Sequence, residues 1–178
     1  MSDENEGRTA GLEARLDALT ARVAALEDQL AIARQMATYG PSVDSLSAEV
    51  TAGLWAADGR YDAGTWAGMP AGTDGVFHGA EGVRRMVGTE PHQGLVRGGC
   101  AHIVSAPRIT VDGDTAVSVC YSQLLRHDPG SGEYRVWRTT ANRWTWTRTP
   151  AGWRVTDRVN RPLDGTEAAR ALLRDALA

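Results

Sequence analysis

Three glycine-bearing turn signatures dominate the second half of the chain: Asp112-Gly113-Asp114, Asp128-Pro129-Gly130-Ser131-Gly132 and Pro150-Ala151-Gly152. Glycine accepts the positive φ that tight turns demand, and proline and aspartate favour the same corners. Between them lie 101–111, 115–125, 134–149 and 153–160, rich in Val, Ile, Thr, Tyr and Trp. Connections this short fold each strand back on its neighbour, so an antiparallel meander is expected. A turn at 112–114 makes paired residues sum to about 225–226, which sets His102 near Gln123 and Leu124.

The first half reads as helical. Leu12, Leu16, Leu19, Val23, Leu26 and Leu30 recur at steps of four and three, with Glu13, Arg15, Asp17, Arg22, Glu27 and Asp28 between them. That spacing keeps one apolar seam on one side of a helix, and it suits a short coiled coil between identical chains. Residues 1–10 read as a polar, flexible tail and 11–37 as the heptad helix. Gly40-Pro41 is expected to break or kink it, because proline removes a backbone donor and clashes with the preceding turn. Ser42 to Ala57 reads as helix again, 58–77 (with Tyr61 and Trp66) as loop or short strand, and Gly79 to Val87 as a short helix. Thr166 to Leu177 reads as a terminal helix after a domain spanning 38–165. Helices followed by antiparallel strands make an α+β chain, with a curved sheet wrapped around a helix to leave a cone-shaped cavity.

Composition narrows the chemistry. All 19 basic residues are arginine, which excludes lysine Schiff bases and phosphate loops that use lysine. A net charge of -3 argues against nucleic acid or an anionic membrane as partner. Cys100 and Cys120 have neither zinc nor redox spacing, and no apolar run is long enough for a signal peptide or a membrane span. A cytoplasmic protein needing no cofactor and no metal is expected. No dinucleotide fingerprint, HExxH or GxSxG is present.

His78, His92 and His127 sit beside Gly, Pro or Asp and read as solvated loop residues. His102 lies inside Cys100-Ala101-His102-Ile103-Val104, where a hydrogen-bonded core residue and a catalyst are equal readings. Tyr39 and Asp44 flank the proline. Asp44 could cap a helix and Tyr39 could pack one, or a kink could turn both toward one cavity. Six tryptophans stand against one phenylalanine. Trp144 and Trp146 share a strand face and Trp137 takes the other, which fits either core packing or a flat apolar pocket.

The order of several short motifs resembles the SnoaL-like branch of the nuclear transport factor two-like superfamily. They are Tyr39-Gly40-Pro41-Ser42-Val43-Asp44, Leu54 to Asp62, Phe77-His78-Gly79-Ala80-Glu81-Gly82-Val83, the His102 strand, Val111 to Ala116, and Arg148 to Val155 with Arg158. The likeness covers roughly residues 30–165. The superfamily includes cofactor-free lyases that use a His–Asp pair inside the cone: scytalone dehydratase, bile-acid 7α-dehydratase and hexachlorocyclohexane dehydrochlorinase. The resemblance implies His102, Asp44 and Tyr39 as catalytic residues, together with a late-strand arginine, Arg148 before Arg158. It implies Trp55, Cys100, Tyr121, Trp137, Trp144 and Arg158 as substrate contacts, a small apolar cyclic substrate, and a homo-oligomer, trimeric in preference to dimeric. Dehydratase or isomerase chemistry is the expected activity. A ligand-binding module, an assembly subunit and a cyclase or epoxide hydrolase of the same fold are the alternatives.

Overall fold

Pairing of the strands fixes the frame on which everything else is hung. The computed structural model describes residues 2–65 and 74–177; Trp66 lies outside them. The segments read as strands become β3 (Cys100–Val104), β4 (Arg108–Asp112), β5 (Thr115–His127), β6 (Tyr134–Thr149) and β7 (Gly152–Pro162). β3 and β4 both pair with β5, and the expected single strand 101–111 is split at Ser105-Ala106-Pro107. His102 stands opposite Leu124, within the register that the 112–114 turn implies.

Two strands precede the meander. Trp55–Asp62 forms β1, a correction to the helix read through Ala57, and Val76–His78 forms β2. β1 runs parallel to β7, so the curved, open sheet is mixed, ordered β2-β1-β7-β6-β5-β3 with β4 also on β5. Bulges at Leu124/Leu125 and Thr145/Trp146 add local bend and twist to the long strands.

A 43-residue helix, α1 (Ser2–Asp44), runs unbroken through Pro41 and takes in residues 2–10 of the segment read as a tail. The expected break does not occur, because the missing proline N–H falls in the last turn, where only a single helical bond, to the Ala37 carbonyl, is given up. The helix instead ends at Asp44 with paired bonds, Ser47 N–H to Ser42 C=O at 2.9 Å and Leu46 N–H to Val43 C=O at 3.2 Å. This closure needs a left-handed residue after the helix. Leu46 supplies it at φ 58°, a strained choice for a side chain with a Cβ. The second helix is only α2 (Ala48–Ala52), followed along the chain by α3 (Gly79–Gly88), α4 (Glu90–Arg97) and α5 (Glu167–Asp175). α4 was not legible as a helix, although Pro91 in its first turn is a start signal.

Only one side of α1 enters the core. Ile32, Met36, Tyr39 and Val43 are buried against Trp55, Trp144, Trp146 and Val155. Trp144 and Trp146 stack with ring centroids 5.7 Å apart, and the Trp146 indole N–H donates to Ser118 Oγ at 2.9 Å. Farther up, Asp28 accepts from Arg148 and from the Trp153 indole, and Gln35 donates to the Trp153 carbonyl. These contacts clamp the helix to the β6–β7 end of the sheet.

Candidate functional site

Gly40 decides how closely α1 can approach β3. An ideal Cβ at this position would lie 2.2 Å from the His102 carbonyl oxygen. Only glycine lets helix and strand backbones come this near. The same approach brings the end of α1 to the start of β3, and there Asp44 meets His102.

The Asp44 carboxylate is held by three donors. His102 Nδ1 stands 2.6 Å from Oδ1, the His102 backbone N–H donates to Oδ2 at 2.8 Å, and the Cys100 thiol lies 3.5 Å from Oδ1. A carboxylate at a helix C-terminus has the wrong sign for the helix dipole, so these bonds hold it in place. Burial alone would raise the Asp44 pKa, but the two His102 bonds prevail and keep it below the ordinary carboxylate value. Burial pushes the Cys100 thiol up to about 12, with Asp44 adding to the effect, so it stays protonated and inert. Because the carboxylate only accepts, Nδ1 carries the proton of that bond, and Nε2 is the ring nitrogen left to take up or release one. Donor atoms of Asp44, Cys100 and His102 also fall within 4.8 Å of one another, a spacing a metal ion could use.

His92, read as a solvated loop residue, is instead half-buried on α4. Its Nε2–H donates to the Val43 carbonyl at 3.0 Å, and its ring lies 5.9 Å from that of His102. Burial lowers its pKa, with the bond to the Val43 carbonyl opposing the shift.

His102 lines a cavity of about 60 Å³ together with Tyr39, Tyr61, Arg138, Arg158 and Asn160. Residues of one parity on β6, Arg138, Thr140, Asn142, Trp144 and Trp146, share the inner face, as strand alternation requires. Toward the closed end these positions carry tryptophans that fill the core; toward the cavity they carry polar groups. Arg158 is 1% exposed. Its Nε and Nη2 donate to Asn142 Oδ1 at 3.2 and 3.0 Å, and its Nη1 is buried with no hydrogen-bond partner. The rings of Trp144, Tyr39 and Tyr61 lie 3.9, 4.0 and 4.6 Å from the guanidinium carbon, an aromatic cage for a buried cation. Tyr39 is buried, and desolvation with Tyr61 nearby raises its pKa against the opposing pull of Arg158, so the phenol is neutral. Its ring meets that of His102 edge-on at 6.2 Å.

The remaining expected site residues divide. Trp55 and Trp144 are packed into the core beneath the cavity. Cys100 touches Asp44 rather than the cavity. Tyr121 and Trp137 are 51% and 42% exposed on the outer face, Trp137 lying under Arg126. Arg148 does not reach the cavity: it pairs with Asp28 and Asp114 and stacks on Trp153 at the clamp. The cavity guanidiniums are Arg158, the second choice, and Arg138, which was missed together with Tyr61 and Asn160. The parity that groups Trp144 with Trp146 reaches Arg138 when carried further along β6.

Residues 24–159 match the model of the SnoaL-like domain. The chain belongs to the SnoaL-like family. This SnoaL-like protein is similar in structure to a nuclear transport factor two-like protein with a cystatin-like fold from Novosphingobium aromaticivorans. The two are 41% identical, with a TM-score of 0.77 over 87% of this chain and 94% of the other. A nuclear transport factor two-like superfamily protein from Salmonella enterica shares 16% identity and a TM-score of 0.61, over 78% and 92% of the two chains. A protein with a cystatin-like fold from Nostoc punctiforme shares 17% identity and a TM-score of 0.59, over 79% and 95%. These last two show the fold alone. No curated protein matches the chain. No helix among the described residues is long and apolar enough to cross a membrane.

Proposed function

We propose that this SnoaL-like protein is a cofactor-free lyase or isomerase that starts its reaction by removing a carbon-bound proton with His102. The observation that carries the reading is the two-point seating of His102 on Asp44, through ring Nδ1 at 2.6 Å and backbone N–H at 2.8 Å. It fixes the ring and its tautomer, and leaves Nε2 as the basic nitrogen of a residue that lines the cavity.

In the proton transfer, Nε2 takes the proton and the C–H electron pair moves toward the neighbouring carbonyl as an enolate. Asp44 stabilises the imidazolium that forms. The Arg158 guanidinium and the neutral Tyr39 phenol stabilise the developing oxyanion. In a dehydration the electron pair then forms C=C, the β-hydroxyl leaves, and the imidazolium proton goes with it as water. In an isomerisation the same proton returns to a different carbon. The ring-lined but cationic cavity fits a small cyclic substrate bearing an electron-withdrawing oxygen group.

The test is exchange of deuterium from D2O into a panel of cyclic β-hydroxy ketones and β-hydroxy acids, followed by NMR, with loss of water followed by mass spectrometry. Asp44→Asn and His102→Ala are each expected to lower exchange by ~10²–10⁴-fold while melting remains cooperative. Wild-type rates in either variant would remove the dyad from the mechanism. A binding-only protein of this fold would hold ligands from the panel with no exchange at all.

A further inference from the structure

The inner sheet face carries more positive charge than proton abstraction by itself requires. Arg158 is buried, its hydrogen bonds go to an amide rather than a carboxylate, and Nη1 is unpaired. Arg138, half-buried on the same face, donates to the Ala63 carbonyl at 2.6 Å. Burial lowers the Arg138 pKa, and the charge of Arg158 acts in the same direction, so the two cations feel each other. Among the described residues no carboxylate pairs with Arg158: Asp62 is held by Arg60 and Arg161, and Asp44 by His102. Asn160, on β7, donates to Tyr61 Oη at 3.1 Å. A transient oxyanion would offset this charge only during turnover, whereas a ligand that arrives as an anion offsets it in the bound ground state.

We infer that the Arg158–Arg138 wall is a carboxylate subsite, so that the substrate is a small cyclic carboxylic acid whose acidic C–H is presented to His102. The inference rests on the function proposed above for its second half and on the cationic wall for its first. The carboxylate oxygens accept from Arg158 Nη1, and the aromatic cage excludes the water that would otherwise screen the pair.

Benzoate and cyclohexanecarboxylate, with benzamide as the neutral counterpart, serve as probes by calorimetry and by quenching of tryptophan fluorescence. The carboxylates are expected to bind wild-type protein at least about tenfold more tightly than the amide. Arg158→Gln and the near-isosteric Asn160→Asp should each abolish that preference. Should Arg158→Gln not fold, Asn160→Asp and Arg138→Gln carry the test. Equal affinity for acid and amide, no binding of either, or a preference that survives Asn160→Asp would overturn the subsite. His102→Ala should keep the preference while losing deuterium exchange, so failure of the dyad and failure of the subsite give different results.

A second inference rests on α1 alone. The seam from Leu12 to Leu30 is between 50% and 63% exposed, while Asp28, Ile32, Gln35, Met36, Tyr39 and Val43 hold a different side of the helix to the domain. With Leu12, Leu19 and Leu26 at d and Leu16, Val23 and Leu30 at a, the g positions are Arg8, Arg15 and Arg22, and the e positions include Glu13 and Glu27. In a parallel pair Arg8 faces Glu13, and Arg22 faces Glu27, of the second copy. An antiparallel pair would set arginine against arginine. The geometry points to self-association of this chain through a parallel coiled coil.

Light scattering on the full chain should give a dimer or trimer, and Leu19→Asp should give monomers that still fold. A Leu12→Cys chain should cross-link to itself through position 12, giving a disulfide absent from wild type. Arg22→Glu should weaken assembly and Arg22→Glu with Glu27→Arg should restore it. A monomeric wild-type mass, or no cross-link at position 12, would overturn the parallel coil.

Discussion

Replacing Gly40 by alanine sets two physical effects against each other. In a helix interior alanine is favoured over glycine by about 1 kcal/mol, so propensity alone forecasts a more stable protein. At this position the new Cβ would stand 2.2 Å from the His102 carbonyl oxygen. An ordinary carbon–oxygen contact is about 3.3 Å or more, so α1 and β3 must separate by roughly 1 Å. Neither partner is a flexible side chain, and overpacking against backbone costs about 1–3 kcal/mol. The net expectation is a loss of up to about 2 kcal/mol, which lowers the melting temperature by up to about 4–8 °C for a domain of this size. The separation also stretches the 2.6 Å Asp44–His102 bond beyond hydrogen-bonding range. The assay is thermal melting together with ¹⁵N NMR of the His102 ring, which reports its tautomer and its titration. A melting temperature equal to or above wild type, with unchanged His102 signals, would refute the claim that close backbone approach seats the dyad.

Leu46→Gly should raise stability by about 0.5–1 kcal/mol, since it relieves the left-handed strain at φ 58°, offset in part by the greater freedom of glycine in the unfolded chain. Chemical denaturation measures it, and a destabilised variant would show that packing of Leu46 outweighs strain. Asp44 and Asp62 both have folded pKa values below the ordinary 3.8. At Asp62 burial opposes the depression, but Arg161 and the Gly64 N–H prevail. A depressed carboxyl stabilises the fold above its unfolded pKa, and that stability drains away as pH falls through the folded value. Melting temperature should therefore fall below about pH 4, with a shallower slope in Asp44→Asn and Asp62→Asn. A wild-type melting temperature that does not change between pH 5 and 3 would contradict both assignments.

Much of this protein is local information, and that part was legible. The 112–114 turn and the strand period set the register that places His102 opposite Leu124. The four-three spacing established α1, and the motif order indicated the family. Turns, alternation and helical repeats are properties of near neighbours, so a linear chain displays them. Long-range pairing decided the rest. Gly40-Pro41 reads as a helix stop, yet the glycine is where a strand more than sixty positions later crosses the helix. Trp55 reads as helix until β7 offers β1 a parallel edge. Arg148 and Arg158 are indistinguishable as late-strand arginines. The bulge at Thr145/Trp146 and the approach of Asp28 send one to the clamp and the other into the aromatic cage. The sequence by itself determined the long strands of the meander, most of α1 and the register of the β3–β5 pair, and it offered Asp44 and His102 as candidates. Only the tertiary structure decided which cations line the cavity beside His102, because burial and charge at a site depend on surfaces contributed by residues distant in the chain.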